Sequence, residues 1–152
     1  MITDFSEELL KEIGDFIGIE EISFNQDGFC ILQLQDQFAF ILRHDQETER
    51  FIMIAEFATL KKISSNLFSS ILSFHFLRIA QPRPWIALDQ ETGVLFLAEE
   101  FYLQATTKEN FKERLVQFFE EYMNCQGLFN AETVEDLLGK ESLSLLQSQE
   151  LA

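Results

Sequence analysis

Ser64–Leu77 reads SSNLFSSILSFHFL and holds no Lys, Arg, Asp or Glu, in a chain where charged residues make up 24% of the whole. Leu67, Phe68, Ile71, Leu72, Phe74 and Phe76 are interrupted only by Ser, Asn and His. Positions 67/71 and 68/72 fall at helical spacing, while Phe74 and Phe76 spread apolar surface round the cylinder. A surface helix shows one apolar stripe and one charged face; a helix apolar nearly all round is covered. The stretch is too short and too rich in hydroxyls to span a bilayer, which takes ~20 apolar residues. It therefore needs cover on two sides. Either the chain's own sheet and a second subunit supply it, or one subunit buries the helix by itself, and the sequence leaves both open.

Working outward toward the start, Asp4–Ile17 reads as an amphipathic helix, with Asp4 as cap and Glu7 as its reciprocal partner. Leu9, Ile13 and Phe16 share its apolar stripe with Phe5, which reads first as core, and Gly18 stands where a helix C-cap is expected. Four short apolar runs come next: Glu21–Asn25, Phe29–Gln35, Phe38–Arg43 and Phe51–Phe57. Gln26-Asp27-Gly28 is a hairpin signal, Asp36-Gln37 a turn, and His44–Arg50 a polar loop. Connections this short join antiparallel neighbours, so these runs form a meander. Phe24 lies on its first run. Cys30, Leu32 and Leu34 alternate to one face; Phe29, Ile31, Ala39, Ile41, Ile52 and Ile54 make the other more apolar than a solvated face needs.

Beyond the uncharged helix, Pro82 and Pro84 end helical structure and open a strand at Trp85–Leu88. Asp89–Gly93 is a turn and Val94–Leu97 the returning strand. Thr106 with Glu109 forms a capping box for a long helix, whose stripe is Phe111, Leu115, Phe118 and Tyr122 and which Gly127 stops. Asn130 caps a last helix, Ala131 to about Leu146. The fold class is α+β: a twisted antiparallel sheet of five to six strands with three main helices, in the order helix–meander–helix–hairpin–helix, plus a C-terminal helical extension. The chain divides into a main domain, 1–127, and that extension, 128–152.

Twenty-six acidic against eleven basic residues give a formal charge of −15. That argues against nucleic acid, whose phosphates require Lys and Arg, and against an anionic membrane. Seventeen Phe are unusual, and serve either core packing or an adhesive surface. Cys30 and Cys125 fit no metal or redox spacing, which points to a reducing cytosol. MITDFSEELL shows no signal peptide. His44 and His75 have no second ligand at metal spacing, and no phosphate loop, nucleophile elbow or Cys–His pattern occurs. Adjacent acidic pairs such as Glu99-Glu100 point apart and are solvated faces. No catalytic residue, cofactor or metal is expected.

The element order resembles the class I chaperones of bacterial type III secretion, the Tir-chaperone-like family. Asp27-Gly28-Phe29-Cys30-Ile31-Leu32 is similar to that family's first turn, FIMIAEFATL at 51–60 to its alternating apolar segment, and WIALDQETGVLFL at 85–97 to its hairpin. Ala58, Lys61 and Phe74-His75 depart from the usual Gly, Pro and small residue–Asn. The resemblance implies a cytoplasmic bacterial homodimer that uses no cofactor, binds the extended N-terminal segment of a secreted effector and presents it to the secretion ATPase. It implies a dimer interface at Phe68, Ile71, Leu72, His75, Phe76, Trp85 and Ile86. It places effector contacts at Leu9, Ile13, Phe16, Phe24, Phe29, Ile31 and Ile41, partly by strand addition. Two other readings stay open: a non-chaperone α+β regulatory module of the bacterial cytosol, discriminated by which protein co-purifies, and a small enzyme whose site is assembled from distant residues.

Overall fold

The computed structural model describes residues 4–34, 38–60, 65–76, 79 and 84–128. In order the elements are α1 (Asp4–Ile17), β1 (Phe29–Leu34), β2 (Phe38–Asp45), β3 (Arg50–Thr59), α2 (Ser65–Phe76), β4 (Trp85–Asp89), β5 (Val94–Tyr102), a 3-10 turn (Leu103–Ala105) and α3 (Lys108–Leu128). One five-stranded sheet runs β1-β2-β3-β5-β4. The α+β class, the three helices and the element order are as expected. The expected last helix and the 128–152 extension lie essentially outside the described residues.

The chain packs as two compact units, residues 1–55 with 98–120 and residues 56–97 with 121–152. In the first, β1 and β2 pair antiparallel with Cys30 opposite Leu42 and Ile31 opposite Ile41, and β2 continues onto β3 with Leu42 opposite Met53 and Ile41 opposite Ile54. Phe40, Leu42, Phe51 and Met53 are fully buried with Leu9, Leu10 and Ile13 of α1 and Phe111 and Phe118 of α3. The rings interlock: Phe40 stacks on Phe118 at 6.1 Å and meets Phe119 edge-on at 5.4 Å, while Phe111 meets Phe51 at 5.7 Å and Phe101 at 4.9 Å. Such pairs add ~1 kcal/mol each beyond their buried area. Lys108 and Lys112 of α3 reach Glu8 and Glu12 of α1 at 3.3 and 3.2 Å, exposed pairs that orient more than they stabilise.

Helix α1 has the expected bounds, although Asp4 lies within the first turn beside Glu7 and does not precede it. Its end is closed at Gly18, where φ is +79° and the Ile19 N–H donates to the Gly14 carbonyl at 2.9 Å. Glu21–Asn25 is not a strand. The Asn25 side chain accepts from the N–H groups of Asp27 and Phe29 at 3.0 and 2.9 Å, and the Asn25 N–H donates to the Phe29 carbonyl at 2.7 Å. That knot closes the turn after one pairing and no ladder extends behind it. His44 stands on β2, not in a loop, and is buried. Helix α3 begins one residue later than expected. Thr107 and Asn110 exchange the reciprocal bonds at 3.2 and 2.9 Å, because the Thr106 hydroxyl is already given to the Tyr102 carbonyl at 2.6 Å. Nor does Gly127 end it, since the helix runs on to Leu128.

In the second unit Phe57, Leu60, Ile71, Ile86, Leu95 and Leu97 are buried with Tyr122 and Cys125. The Tyr122 hydroxyl donates to the Glu56 carbonyl at 3.1 Å and accepts from Gln126 at 3.0 Å; burial pushes its pKa up to about 12. The hairpin turn is organised by Asp89, which accepts from the Glu91 N–H and the Thr92 hydroxyl and is held below the usual carboxylate range chiefly by that hydroxyl.

One buried charge locks the first unit. The Glu99 carboxylate is 2% exposed and accepts from Arg114 Nε at 2.7 Å, while the guanidinium lies over the Phe101 ring at 4.2 Å. Thus Glu99 is no solvated face, contrary to the reading of adjacent acidic pairs. Replacing Arg114 by Met leaves that carboxylate unpaired and is expected to cost about 3 kcal/mol in urea unfolding, largely restored by a second change, Glu99→Gln. Burial raises the Glu99 pKa, with Arg114 opposing. The folded chain therefore binds that proton more tightly than the unfolded one. The contribution is full below 4.5 and fades as pH rises through the folded value. Stability relative to the single variant Glu99→Gln should fall over that window; a constant difference contradicts it.

Candidate functional site

Among the described residues, two groups of exposed apolar side chains stand together. The first is on the sheet, within the first unit. Burying Phe40, Leu42, Phe51 and Met53 sends the intervening side chains to the opposite face, because the period of a strand is two. Register makes them rows: Ile31, Ile41 and Ile54 stand side by side across β1, β2 and β3, and Phe29, Arg43 and Ile52 form the next row. Ile31 is 66% exposed, Ile41, Ile52, Ile54 and Phe29 are half-buried, and Arg43 is exposed. The Arg43 guanidinium lies over the Phe29 ring at 5.3 Å.

The expected effector contacts separate accordingly. Phe29, Ile31 and Ile41 come together on this face. Leu9 and Ile13 do not join them: both are fully buried in the core, where no ligand touches them without opening it. Phe24 packs at 6.0 Å on Phe51 and 6.2 Å on His44, residues of the core side, so it too leaves the group. The His44 imidazole, buried there, has its pKa lowered chiefly by loss of water. Phe16 is half exposed on α1 and stacked on Phe119 of α3 at 5.1 Å, a separate patch. Arg43, Ile52 and Ile54 are not among the expected contacts. Their alternation with Leu42, Phe51 and Met53 is the signal that marks them.

The second surface is α2, in the second unit. Ser69 and Ser73 donate their hydroxyls to the carbonyls of Ser65 and Ser69 at 3.1 and 2.8 Å, so they face solvent without demanding partners. Ile71 is turned into the core, and the His75 Nε2 four residues on accepts the Ile86 N–H at 2.7 Å, fastening α2 to β4. That bond needs an unprotonated Nε2, which makes Nδ1 the protonated nitrogen of the neutral ring. On another side Phe68, Leu72 and Phe76 form an i, i+4, i+8 stripe that is exposed throughout, with Leu72 at 69% and Phe76 at 64%. Trp85 on β4 and Ile79 are exposed as well. Of the seven expected dimer residues, then, Phe68, Leu72, Phe76 and Trp85 are available on the surface. Ile71 and Ile86 are buried within the chain, and His75 is half-buried against β4. His75→Ala removes the Ile86 acceptor and is expected to cost about 1.5 kcal/mol in thermal or urea unfolding, whereas His75→Gln, which can still accept, costs less. Equal losses in the two variants would contradict this role.

Among the described residues no group of three His, Cys, Asp or Glu could hold a metal ion, and no helix is long and apolar enough to cross a membrane.

A family model, the Tir chaperone protein (CesT) family, matches residues 8–125, so the chain belongs to that family. Solved structures share the fold. The chain is similar to one in the HopA1–SchA chaperone–effector complex, at 18% identity and TM-score 0.64, over 81% of this chain and 94% of that one. It is similar to one in the ExsC–ExsE complex, at 22% identity and TM-score 0.68, over 84% and 96%. A third likeness is to the Yersinia pestis type III secretion chaperone SycH in complex with a stable fragment of YscM2, at 18% identity and TM-score 0.57, over 78% and 98%. A search of the curated proteins gave no match.

Proposed function

We propose that this member of the Tir chaperone protein family is a cytoplasmic bacterial type III secretion chaperone. Two copies join through the Phe68–Leu72–Phe76 stripe and Trp85. Each holds the N-terminal segment of a secreted effector against the outer sheet face at Phe29, Ile31 and Ile41, and along α1 at Phe16. The chain acts by binding alone, without cofactor or catalysis. Its main domain, 1–127, carries both surfaces, and 128–152 is an addition to it.

The observation that carries this reading is the pair of bare apolar surfaces on a chain whose charge is −15. A protein this acidic is kept in solution by mutual repulsion, and can display apolar area that a neutral one could not. A non-globular client loses conformational entropy when it binds and needs extensive apolar contact in return. The solved relatives with which it shares a fold were captured with partners, a chaperone–effector complex and a chaperone with a protein fragment among them. The strand order leaves β1 at a sheet edge, where a client strand can pair beside Ile31.

Two measurements test this. Sedimentation should show a dimer at micromolar concentration, and Leu72→Asp should give a folded monomer; a monomeric wild type removes the assembly. Co-expression with secreted proteins of the same genome should yield a stable complex with one N-terminal segment. Ile41→Asp should weaken that complex about tenfold, the loss of roughly one Ile side chain's burial. A client indifferent to Ile41 and Ile31 lies elsewhere.

A further inference from the structure

We infer that the outer sheet face reads charge as well as apolarity: Arg43 selects a client segment that carries an acidic residue two positions from an apolar one. This rests on the reading that clients lie on that face. Six cations fall among the described residues, and four of them, Arg50, Lys108, Lys112 and Arg114, are in ion pairs with carboxylates. Arg43 is in no such pair among the described residues. It lies against the Phe29 ring, which holds the guanidinium over an apolar row without neutralising it. In a chain of charge −15, a guanidinium in no ion pair among the described residues, in the row between Ile31–Ile41–Ile54 and the charged Asp45–Arg50 row, is a specific provision, and a carboxylate is its chemical complement.

The geometry sets the spacing. Along β2, Ile41 and Arg43 are two residues apart, ~6.8 Å, which is also the distance between alternate side chains of any extended segment. A segment lying along β2 with an apolar residue over Ile41 thus brings its second neighbour to Arg43. Approach from the strand edge is closed at this point. Asn25 already takes the Phe29 N–H on its side chain and gives its own N–H to the Phe29 carbonyl, so an added strand cannot run past Ile31. A client reaches Arg43 across the face.

The competing account is that Arg43 guards an apolar surface against self-association, a solubility role that asks nothing of the client's charge. The two separate with synthetic, end-capped extended peptides that carry a central Ile and, two residues on, Asp, Asn or Lys. Each is titrated into the intact isotope-labelled protein by NMR. The general field of so acidic a protein favours the Lys peptide, which makes the expected result sharp. The Asp peptide should bind about 5-fold tighter than the Asn peptide at low salt, with the gap closing as salt rises. Arg43→Gln should erase the Asp preference, bringing the Asp and Asn peptides to equal affinity, and Arg43→Glu should turn the preference to Lys. Equal binding of the Asp and Asn peptides, or an Asp preference that survives in Arg43→Gln, overturns the inference while leaving the face as a binding site. Failure of every peptide to perturb Ile31, Ile41 and Ile54, or indifference to Ile41→Asp, removes the face and this inference together.

Discussion

The aromatic clasp of α3 on the meander, Phe111 on Phe51 and Phe118 on Phe40, decides which surfaces this molecule can offer. Those contacts fix which face of the strands is interior. Strand side chains alternate strictly, so fixing one face determines the other, and a slip of one residue would exchange them. The bare rows led by Ile31 and Phe29 are therefore a consequence of the core. They cannot be withdrawn from solvent by any small adjustment that keeps Phe40 and Phe51 where they are. The Glu99–Arg114 pair adds a directional constraint beside the same rings, since Arg114 lies over Phe101, which in turn meets Phe111. Replacing that pair by apolar residues could retain or even raise stability; what it adds is one orientation of α3 along its strand.

Helix α2 obeys a different rule. It carries no Lys, Arg, Asp or Glu to keep a face in water, and Ser69 and Ser73 satisfy their hydroxyls on the preceding turn. Ile71 is buried in its own unit and His75 accepts the Ile86 N–H. Its exposed positions Phe68, Leu72 and Phe76 fall at i, i+4 and i+8, so the surface that would match them is an elongated apolar one, as the proposed second copy supplies.

Much of this was legible in the residues, and the exceptions share a cause. The bounds of α1, the split of the meander into two apolar faces and the Asp89–Gly93 turn come from local periodicity and turn chemistry, which sequence displays directly. Periodicity also groups Leu9, Ile13 and Phe16 on one stripe. It cannot say that the first two are closed over while half of Phe16 stays open beside Phe119, because that depends on where a helix a hundred residues away comes to rest. Phe24 departs for a related reason: the Asn25 side chain ends the pairing at once and turns Phe24 toward His44 and Phe51. Thr106 and Thr107 are equivalent as letters and differ only in that the Tyr102 carbonyl is within reach of the first. A lone cation in an alternating strand, such as Arg43, reads as a solvated residue; only the register puts it between Phe29 and Ile52.

Charge and apolarity therefore act as one device here. Bare apolar rows on a neutral molecule would bring copies together face to face without limit. Repulsion between molecules of charge −15 opposes that, but it is a long-range effect that salt screens within about 8 Å at physiological ionic strength. Contacts closer than that are governed by local chemistry, and the two surfaces differ in it. The α2 stripe of Phe68, Leu72 and Phe76 contains no ionisable side chain, so the proposed pairing with a second copy would bury no charge there. The sheet face carries the Arg43 cation, so two such faces brought together would each set a guanidinium against the other's apolar rows. Under the proposed reading, the Arg43 that receives an acidic client also sets a charge against a second sheet face, which leaves the α2 stripe for the pairing of copies.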